Sequence, residues 1–252
     1  MNDLRSDVVA WVVDVGNTRT SFAAVDAAGA LSGMFHGPTP RSIDAEVRLP
    51  TGWPKPAAIH AASVVAEAVP ALERVFASLA PVVWWGTVER PVPIRHPYAA
   101  PAVPGADRLL AALGAHARCG GPVVVVDAGS ALTCDLVGAD GAFLGGAIAP
   151  GFRALVSGLA ASAPALPFGV VGVATRFPGT STQAAVDVGV TSAARGLVRE
   201  LVLRAEEAIG KRCRLLVTGG DAAIAAAYLA DRRPEIVPAL VLEALALLAR
   251  RT

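Results

Sequence analysis

Lysine is almost missing from this chain of 252 residues. Of the 22 basic residues only Lys55 and Lys211 are lysines, and the other twenty are arginines. A P-loop needs a lysine in the pattern GxxxxGK followed by Ser or Thr, and a protein kinase needs a strand lysine that holds the phosphates. Lys55 lies between two prolines and Lys211 precedes Arg212, so neither fits. GxGxxG is absent as well, so the sequence does not support a dinucleotide-binding Rossmann domain.

Charge is also scarce, and it is balanced. Charged residues make up 17% of the chain, and 22 basic against 21 acidic residues leave a formal net charge of +1. A nucleic-acid-binding protein typically carries a basic surface, so we expect no nucleic-acid partner and no membrane partner. The hydrophobic fraction of 54% excludes a disordered chain.

Cysteines and histidines are few and isolated. The odd number and wide spacing of the cysteines favour reduced thiols over a disulfide framework or a zinc site. The histidines lack HExxH or CxxC spacing, which predicts structural or solvated side chains. These residues are Cys119, Cys134, Cys213, His36, His60, His96 and His116.

The longest uncharged stretch, between Arg153 and Arg176, is long enough to span a bilayer. Its glycines and two prolines would break the backbone hydrogen bonds of a membrane helix, so we predict a loop with short elements of a soluble core. Charged residues precede the first apolar run, which is unlike a secretory signal or a transit peptide, and the expected location is therefore the cytoplasm. Those charged residues are Asp3, Arg5 and Asp7.

A strand followed by a polar turn occurs twice in the sequence. Buried strands are predicted over residues 8–15 and 123–126, and both lead into the pattern Asp-x-Gly-x-x-x-Thr. The two aspartates, Asp14 and Asp127, are 113 positions apart, close to half of the chain. Such a repeat predicts two similar domains, which we divide at residues 1–119 and 120–252.

The repeated turn has the chemistry of a phosphate-binding loop. Glycine lets the backbone approach an anion, nearby N–H groups and hydroxyls donate to it, and the aspartate can hold a cation or its water. A single Asp-x-Gly can also be no more than a turn, since both residues favour turns. Two copies in register favour a clamp on a nucleotide triphosphate.

A second candidate site begins at Asp107, which opens a segment with helical apolar spacing. A carboxylate there can accept the proton of an alcohol, although an aspartate at a helix start can also be only a cap. The neighbouring Arg108 can bond both oxygens of a planar carboxylate, or it can form a surface ion pair. Tyr98, upstream, could equally be a half-buried loop aromatic.

Seven motifs in order from residue 14 to residue 221 resemble those of the type III pantothenate kinases, which belong to the acetate and sugar kinase, heat-shock ATPase and actin superfamily. The matching segments are Asp14-Val-Gly-Asn-Thr-Arg-Thr20, Tyr98 with Gly105-Ala-Asp-Arg108, Asp127-Ala-Gly-Ser-Ala-Leu-Thr133, Gly145-Gly-Ala-Ile-Ala-Pro-Gly151, Leu166-Pro167, Thr182 with Gly189, and Thr218-Gly-Gly-Asp221.

The resemblance implies an α/β fold of two ribonuclease H-like, actin-like ATPase domains, each with a mixed five-stranded sheet and flanking helices, with a cleft between them. It implies ATP-dependent phosphorylation of pantothenate, the first step of coenzyme A biosynthesis, by a homodimer that uses Mg²⁺ and a monovalent cation, K⁺ or NH₄⁺. Two alternatives are a non-catalytic regulatory relative that binds nucleotide and a phosphatase of the same superfamily.

The resemblance also implies roles for individual residues. By this resemblance, Asp107 is the base that accepts the hydroxyl proton, and Arg108 binds the substrate carboxylate. Asp127 is a ligand of the monovalent cation, and Asp14 holds Mg²⁺ through a water molecule. The implied ATP-binding residues are Asp14, Val15, Gly16, Asn17, Thr18, Arg19, Thr20, Ser21 and Ser130. The implied substrate-binding residues are Tyr98, Gly105, Ala106, Asp107, Arg108 and, from the second subunit, Thr182. Two positions depart from the family pattern: Ser130 replaces Thr, and Ser181 replaces Asn.

Overall fold

The computed structural model describes residues 8–172 and 176–251 of the chain. Asp3, Arg5 and Asp7, which carry the expectation about the N-terminus, lie outside the described residues. The chain separates into two compact units, and each forms its own core. The first unit is Met1–Gly114 with Ala239–Thr252, and the second is Ala115–Pro238.

The described residues form ten strands and six α-helices, with short 3₁₀ turns between some of them. The strands are β1 (Val8–Val15), β2 (Arg19–Asp26), β3 (Leu31–Pro38), β4 (Ala58–Ser63), β5 (Val82–Trp85), β6 (Val123–Ala128), β7 (Ala131–Val137), β8 (Phe143–Pro150), β9 (Arg214–Thr218) and β10 (Glu235–Ile236). The helices are α1 (Val69–Phe76), α2 (Ala106–Cys119), α3 (Phe152–Ser162), α4 (Thr182–Ile209), α5 (Ala222–Tyr228) and α6 (Leu240–Ala249).

The two sheets have the same topology. Each is five-stranded, in the order β3-β2-β1-β4-β5 in the first unit and β8-β7-β6-β9-β10 in the second. In both, three antiparallel strands come first in the chain and two further strands join parallel to the leading strand. This arrangement confirms the predicted duplication and the predicted mixed five-stranded α/β sheets.

The C-terminal helix belongs to the first unit, which differs from the predicted division at residue 120. Leu240, Leu245 and Leu248 of α6 are almost completely buried, and α6 packs against β1, β2 and β4. The helix is apolar on nearly all sides, so it is stable only where neighbours cover it all round. The first sheet and α2 supply that cover, since Leu240 and Ala244 lie against Gly114 of α2.

The long uncharged stretch forms short elements, as predicted. The helix α3 occupies its first part and ends at Ser162, and the described remainder up to residue 172 contains no helix or strand. Within residues 8–172 and 176–251, none of the helices has the length and apolar character needed to cross a bilayer.

A buried ion pair joins α4 to the turn after α5 in the second unit. Both oxygens of Glu206 accept hydrogen bonds from the Arg232 guanidinium, at 2.5 and 2.9 Å, and one also accepts the Cys213 N–H at 2.8 Å. The side chains of Glu206 and Arg232 are only 9% and 14% exposed. The hydrogen bonds from Arg232 lower the pKa of Glu206.

Replacing Glu206 by Gln should lower the free energy of unfolding by about 2 kcal/mol at neutral pH, because it breaks a largely buried pair and leaves Arg232 without its counter-charge. Because the pKa of Glu206 is lowered in the folded state, the ionised pair contributes fully to the free energy of unfolding at any pH above the ordinary glutamate pKa. This contribution disappears as the pH falls through the folded-state pKa. The difference between the two proteins in chemical denaturation should therefore shrink below about pH 4.5.

Glu200 provides the matched control, because it pairs with Arg204 on the same helix but is 51% exposed. Replacing Glu200 by Gln should cost less than about 0.5 kcal/mol. Equal losses for the two variants would contradict a special role for the Glu206–Arg232 pair.

Candidate functional site

The first turn follows the end of β1 in the first unit. Asp14 lies opposite Ser21 across the β1–β2 ladder, and residues 16–18 connect the strands. The turn is closed by the N–H of Gly16, which donates to the carbonyl of Arg19 at 3.1 Å. Residues 17–19 are exposed, whereas Thr20 is buried, so the tip of the turn is open to a ligand and its base is held in the sheet.

The second turn repeats this arrangement at the end of β6, with one residue fewer. Asp127 lies opposite Thr133, and only residues 129 and 130 connect β6 to β7. The N–H of Gly129 donates to the carbonyl of Ala131 at 3.1 Å, and Ser130 is exposed at the tip. The identical sequence patterns therefore fold into turns of different length.

The second turn is enclosed by two glycine motifs that are distant in the sequence. Gly219 has a φ of +95°, and a Cβ there would lie 2.4 Å from Oδ1 of Asp127. The N–H of Asp221 donates to the carbonyl of Ala128 at 2.9 Å. From the other motif, a Cβ on Gly151 would lie 2.3 Å from the Gly129 carbonyl oxygen. Both motifs thus need glycine because their backbones press against the turn.

Oxygen atoms dominate the groups around both turns. Carboxylates, hydroxyls and carbonyls are the ligands that Mg²⁺ and K⁺ prefer, and Mg²⁺ is commonly held by one or two carboxylates together with substrate phosphates. In the part of the chain that the structure describes, no three His, Cys, Asp or Glu residues cluster as a metal cage. Asp14 and Asp127 each lie near the end of the leading strand of their own unit, and each offers a carboxylate, which is a ligand type that Mg²⁺ accepts.

The predicted substrate motif forms the start of α2 in the first unit. Oδ1 of Asp107 accepts the N–H of the next residue, Arg108, at 2.7 Å. This differs from an N-cap bond, which reaches the N–H two or three residues further on. Burial raises the pKa of Asp107, while the N–H and the charge of Arg108 act in the opposite direction. Arg108 is itself buried, with 9% exposure. A carboxylate with a raised pKa is suited to accept a proton.

Val64 links this motif to the first turn. Its N–H donates to the carbonyl of Val15, the last residue of β1, at 3.2 Å. Its side chain lies beside Gly105, where a Cβ would be 3.6 Å from Cγ1 of Val64. Val64, which follows β4, therefore contacts both the end of β1, where the first turn begins, and Gly105, which precedes α2.

The residues that pack against the start of α2, near Trp85 and Gly86, were not indicated by the sequence. The indole N–H of Trp85 donates to Nδ1 of buried His60 at 3.2 Å, and the Arg90 guanidinium lies 5.3 Å from the centroid of the Trp85 ring. Gly86, next to Trp85, lies directly against Ala106. Burial and the charge of Arg90 lower the pKa of His60, which is consistent with the predicted structural role of this histidine.

The remaining predicted substrate residues are Tyr98 in the first unit and Thr182 in the second. Tyr98 is half-buried, with its ring 6.2 Å from that of His96. Thr182 is the exposed first residue of α4 in the second unit. Ser181 is the N-cap of α4, and its hydroxyl accepts the N–H of Ala184 at 3.2 Å. Since Ser and Asn are both strong N-caps, the departure at Ser181 preserves the start of the helix.

Solved structures with the same architecture belong to kinases and to an actin relative. A ROK family glucokinase from Streptomyces griseus aligns with a TM-score of 0.56 at 14% identity, covering 97% of this chain and 100% of that chain. An archaeal actin homolog aligns with a TM-score of 0.53 at 13% identity, covering 97% of this chain and 100% of that one. At such identities the likeness establishes the fold, which is the duplicated actin-like ATPase fold.

Sequence relatives are closer. The type III pantothenate kinase of Acidiphilium cryptum is 42% identical over 151 residues, which is 60% of this chain and 56% of that protein, so this alignment spans little more than half of the relative. The type III pantothenate kinase of Desulfosudis oleivorans is 31% identical over 245 residues, covering 93% of this chain and 96% of that protein. The family model described as type III pantothenate kinase matches residues 11–204. A match over more than half of the chain, together with a relative aligned over nearly its whole length, establishes that the chain belongs to the type III pantothenate kinase family.

Proposed function

We propose that this chain transfers the γ-phosphoryl group of ATP to the primary hydroxyl of pantothenate, which gives 4′-phosphopantothenate in the first step of coenzyme A biosynthesis. Family membership supports the substrate pair. The observation that carries the chemistry is the half-buried Asp107 beside the buried Arg108, joined through Val64 to the first turn within a single unit.

In this proposal the protein mainly positions the reactants, because phosphoryl transfer passes through a loose transition state. Asp107 accepts the hydroxyl proton as the substrate oxygen bonds to the γ-phosphorus. The bond from that phosphorus to the β–γ bridging oxygen breaks, and ADP leaves with the electron pair. Arg108 binds the pantothenate carboxylate through its guanidinium fork, and Tyr98, Gly105 and Ala106 complete the contacts of this unit with pantothenate.

The nucleotide contacts in the proposal come from the two turns. Residues 14–21 bind the ATP phosphates with backbone N–H groups and hydroxyls, and Ser130 contacts the nucleotide with the hydroxyl that it shares with Thr. Neither of the two lysines lies in these turns. Backbone, hydroxyl and arginine groups therefore take the place of the lysine that a P-loop uses.

Two cations belong to the proposal. Asp14 would hold Mg²⁺ through water, and Asp127, seated against Gly219 and Gly129, would hold K⁺ or NH₄⁺. When bound, Mg²⁺ would supply positive charge that offsets the charge of the phosphates. The proposed location is the cytoplasm, which is supported by the free thiols of Cys119, Cys134 and Cys213.

A homodimer is the proposed assembly, with Thr182 completing the partner's pantothenate site. Large apolar side chains are exposed on the second unit, including Ile148 at 66% and Phe168 at 59%, and these are suited to a subunit contact. The apolar C-terminal segment does not contribute to this argument, because α6 is buried in the first unit.

A coupled assay tests the proposal. Purified protein with ATP and Mg²⁺ should form ADP only when pantothenate is added, and the rate should depend on K⁺ or NH₄⁺. Nucleotide binding without pantothenate turnover across a series of monovalent cations would instead support a regulatory relative. Phosphate release from phosphoanhydrides without any alcohol acceptor would support a phosphatase.

A further inference from the structure

The connection between β3 and β4 contains a short segment, residues 39–41, that lies outside every motif. In the β2–β3 ladder Pro38 is opposite Arg19, so the chain leaves β3 directly beside the first turn. Thr39 and Pro40 are buried, whereas Arg41 is exposed. The sheet register therefore brings three residues without any sequence signal against the turn at residues 16–18.

Thr39 bonds the first turn at three points. Its hydroxyl donates to the carbonyl of Gly16 at 2.6 Å, and its backbone N–H donates to the carbonyl of Thr18 at 3.4 Å. Its Oγ1 is also 3.3 Å from Oγ1 of Thr20. A hydroxyl has a single proton, so the Thr20 hydroxyl must donate in this last pair. Thr39 is 7% exposed and Thr20 is 2% exposed, so losing these bonds would leave buried polar groups unpaired.

Arg41 adds a charge at the tip of the same turn. Its Nη2 donates to the carbonyl of Asn17. A guanidinium has five N–H donors, and this bond uses one of them. Among the described residues no carboxylate forms an ion pair with Arg41. The other donors therefore remain available beside a turn whose tip is exposed, in a chain that has no lysine there.

We propose that residues 39–41 form part of the nucleotide site: Thr39 is a positioning residue that holds the first turn in its phosphate-binding shape, and Arg41 binds the phosphates through its guanidinium. This inference rests on the proposed function, since it takes the first turn to bind ATP. It assigns a role to a segment that the motifs leave without one.

Direct nucleotide binding provides the test. By titration calorimetry with Mg²⁺, Arg41→Ala and Thr39→Val should each raise the Kd for ATP about tenfold, while the Kd for adenosine stays unchanged because adenosine has no phosphate. Arg41→Lys should give an intermediate loss, because it keeps the charge but lacks the fork. The KM for pantothenate should not change, and Thr39→Ser, which keeps the hydroxyl, should bind ATP nearly as the unaltered chain does.

Arg74 of α1 is the matched control. Its guanidinium also donates to a backbone carbonyl of the β3–β4 connection, that of Ala45 at 3.4 Å, and this carbonyl is not part of the first turn. Arg74→Ala should leave the Kd for ATP unchanged. Equal loss in Arg74→Ala and Arg41→Ala, or equal loss for ATP and adenosine, would overturn the inference. If the unaltered chain binds ATP but does not phosphorylate pantothenate, the proposed function fails while the same titrations still decide the inference; if it does not bind ATP, both fail.

Discussion

Replacing Asp107 by Asn should lower kcat for pantothenate phosphorylation about 10²- to 10⁴-fold, the range usual for removal of a general base. Asn keeps an oxygen that can accept the Arg108 N–H, so the start of α2 should stay intact and the unfolding midpoint should hardly move. Steady-state kinetics and thermal unfolding of the same samples would measure both quantities. Turnover close to that of the unaltered chain would remove Asp107 as the base.

Asp44→Asn is a suitable control, because it makes the same chemical change at an exposed position of the same unit. Its kcat should not change. A comparable loss of activity in both variants would indicate an effect of net charge rather than of the Asp107 carboxylate.

The pH dependence of kcat/KM gives a second measure of Asp107. Burial raises its pKa, so the carboxylate takes up its proton at a higher pH than an exposed aspartate does. Only the ionised form can accept the substrate proton. The acid limb of the profile should therefore lie above the ordinary aspartate value of 3.8. A profile that stays level down to that value would contradict the assignment.

Replacing Gly219 by Ala should lower the free energy of unfolding by about 3 kcal/mol, as expected where a strained backbone and a steric clash coincide. The new Cβ would lie 2.4 Å from Oδ1 of Asp127 and 2.5 Å from the carbonyl oxygen of Ala128, at a φ of +95°. Relief requires the end of β6 to move, which also displaces the proposed cation ligand. Denaturant unfolding and the K⁺ dependence of the kinase rate would report the two effects.

The adjacent glycine, Gly220, provides the matched control for this prediction. A Cβ on Gly220 would meet nothing within 4 Å, and Gly220 does not have a left-handed backbone. Gly220→Ala should therefore stay within about 1 kcal/mol of the unaltered chain. If the two alanine variants were equally stable, the close contact between Gly219 and the end of β6 would not matter energetically.

Much of the local structure was predictable. The apolar run over residues 8–15 predicted a strand, which spans Val8–Val15, and the helical apolar spacing after Asp107 predicted the helix Ala106–Cys119. These predictions succeed because apolar periodicity is a property of neighbouring residues. The duplicated Asp-x-Gly pattern likewise predicted the repeated sheet, because each copy leads its own hairpin.

Details that depend on pairing between strands were not predictable. Both turns read Asp-x-Gly-x-x-x-Thr, yet Asp14 lies opposite Ser21 whereas Asp127 lies opposite Thr133. The register of a hairpin depends on which face of each strand is buried, and the pattern alone does not carry this information. For the same reason the contacts of Thr39 with the first turn could not be anticipated.

The sequence by itself determined the family and the duplication, because motifs and repeats can be recognised without coordinates. Only the tertiary structure decided where the C-terminal helix packs, which glycines enclose the second turn, and which residues outside the motifs hold the first. These contacts join residues far apart in the chain, so they are selected by the burial and hydrogen bonding of a whole unit rather than by any local pattern.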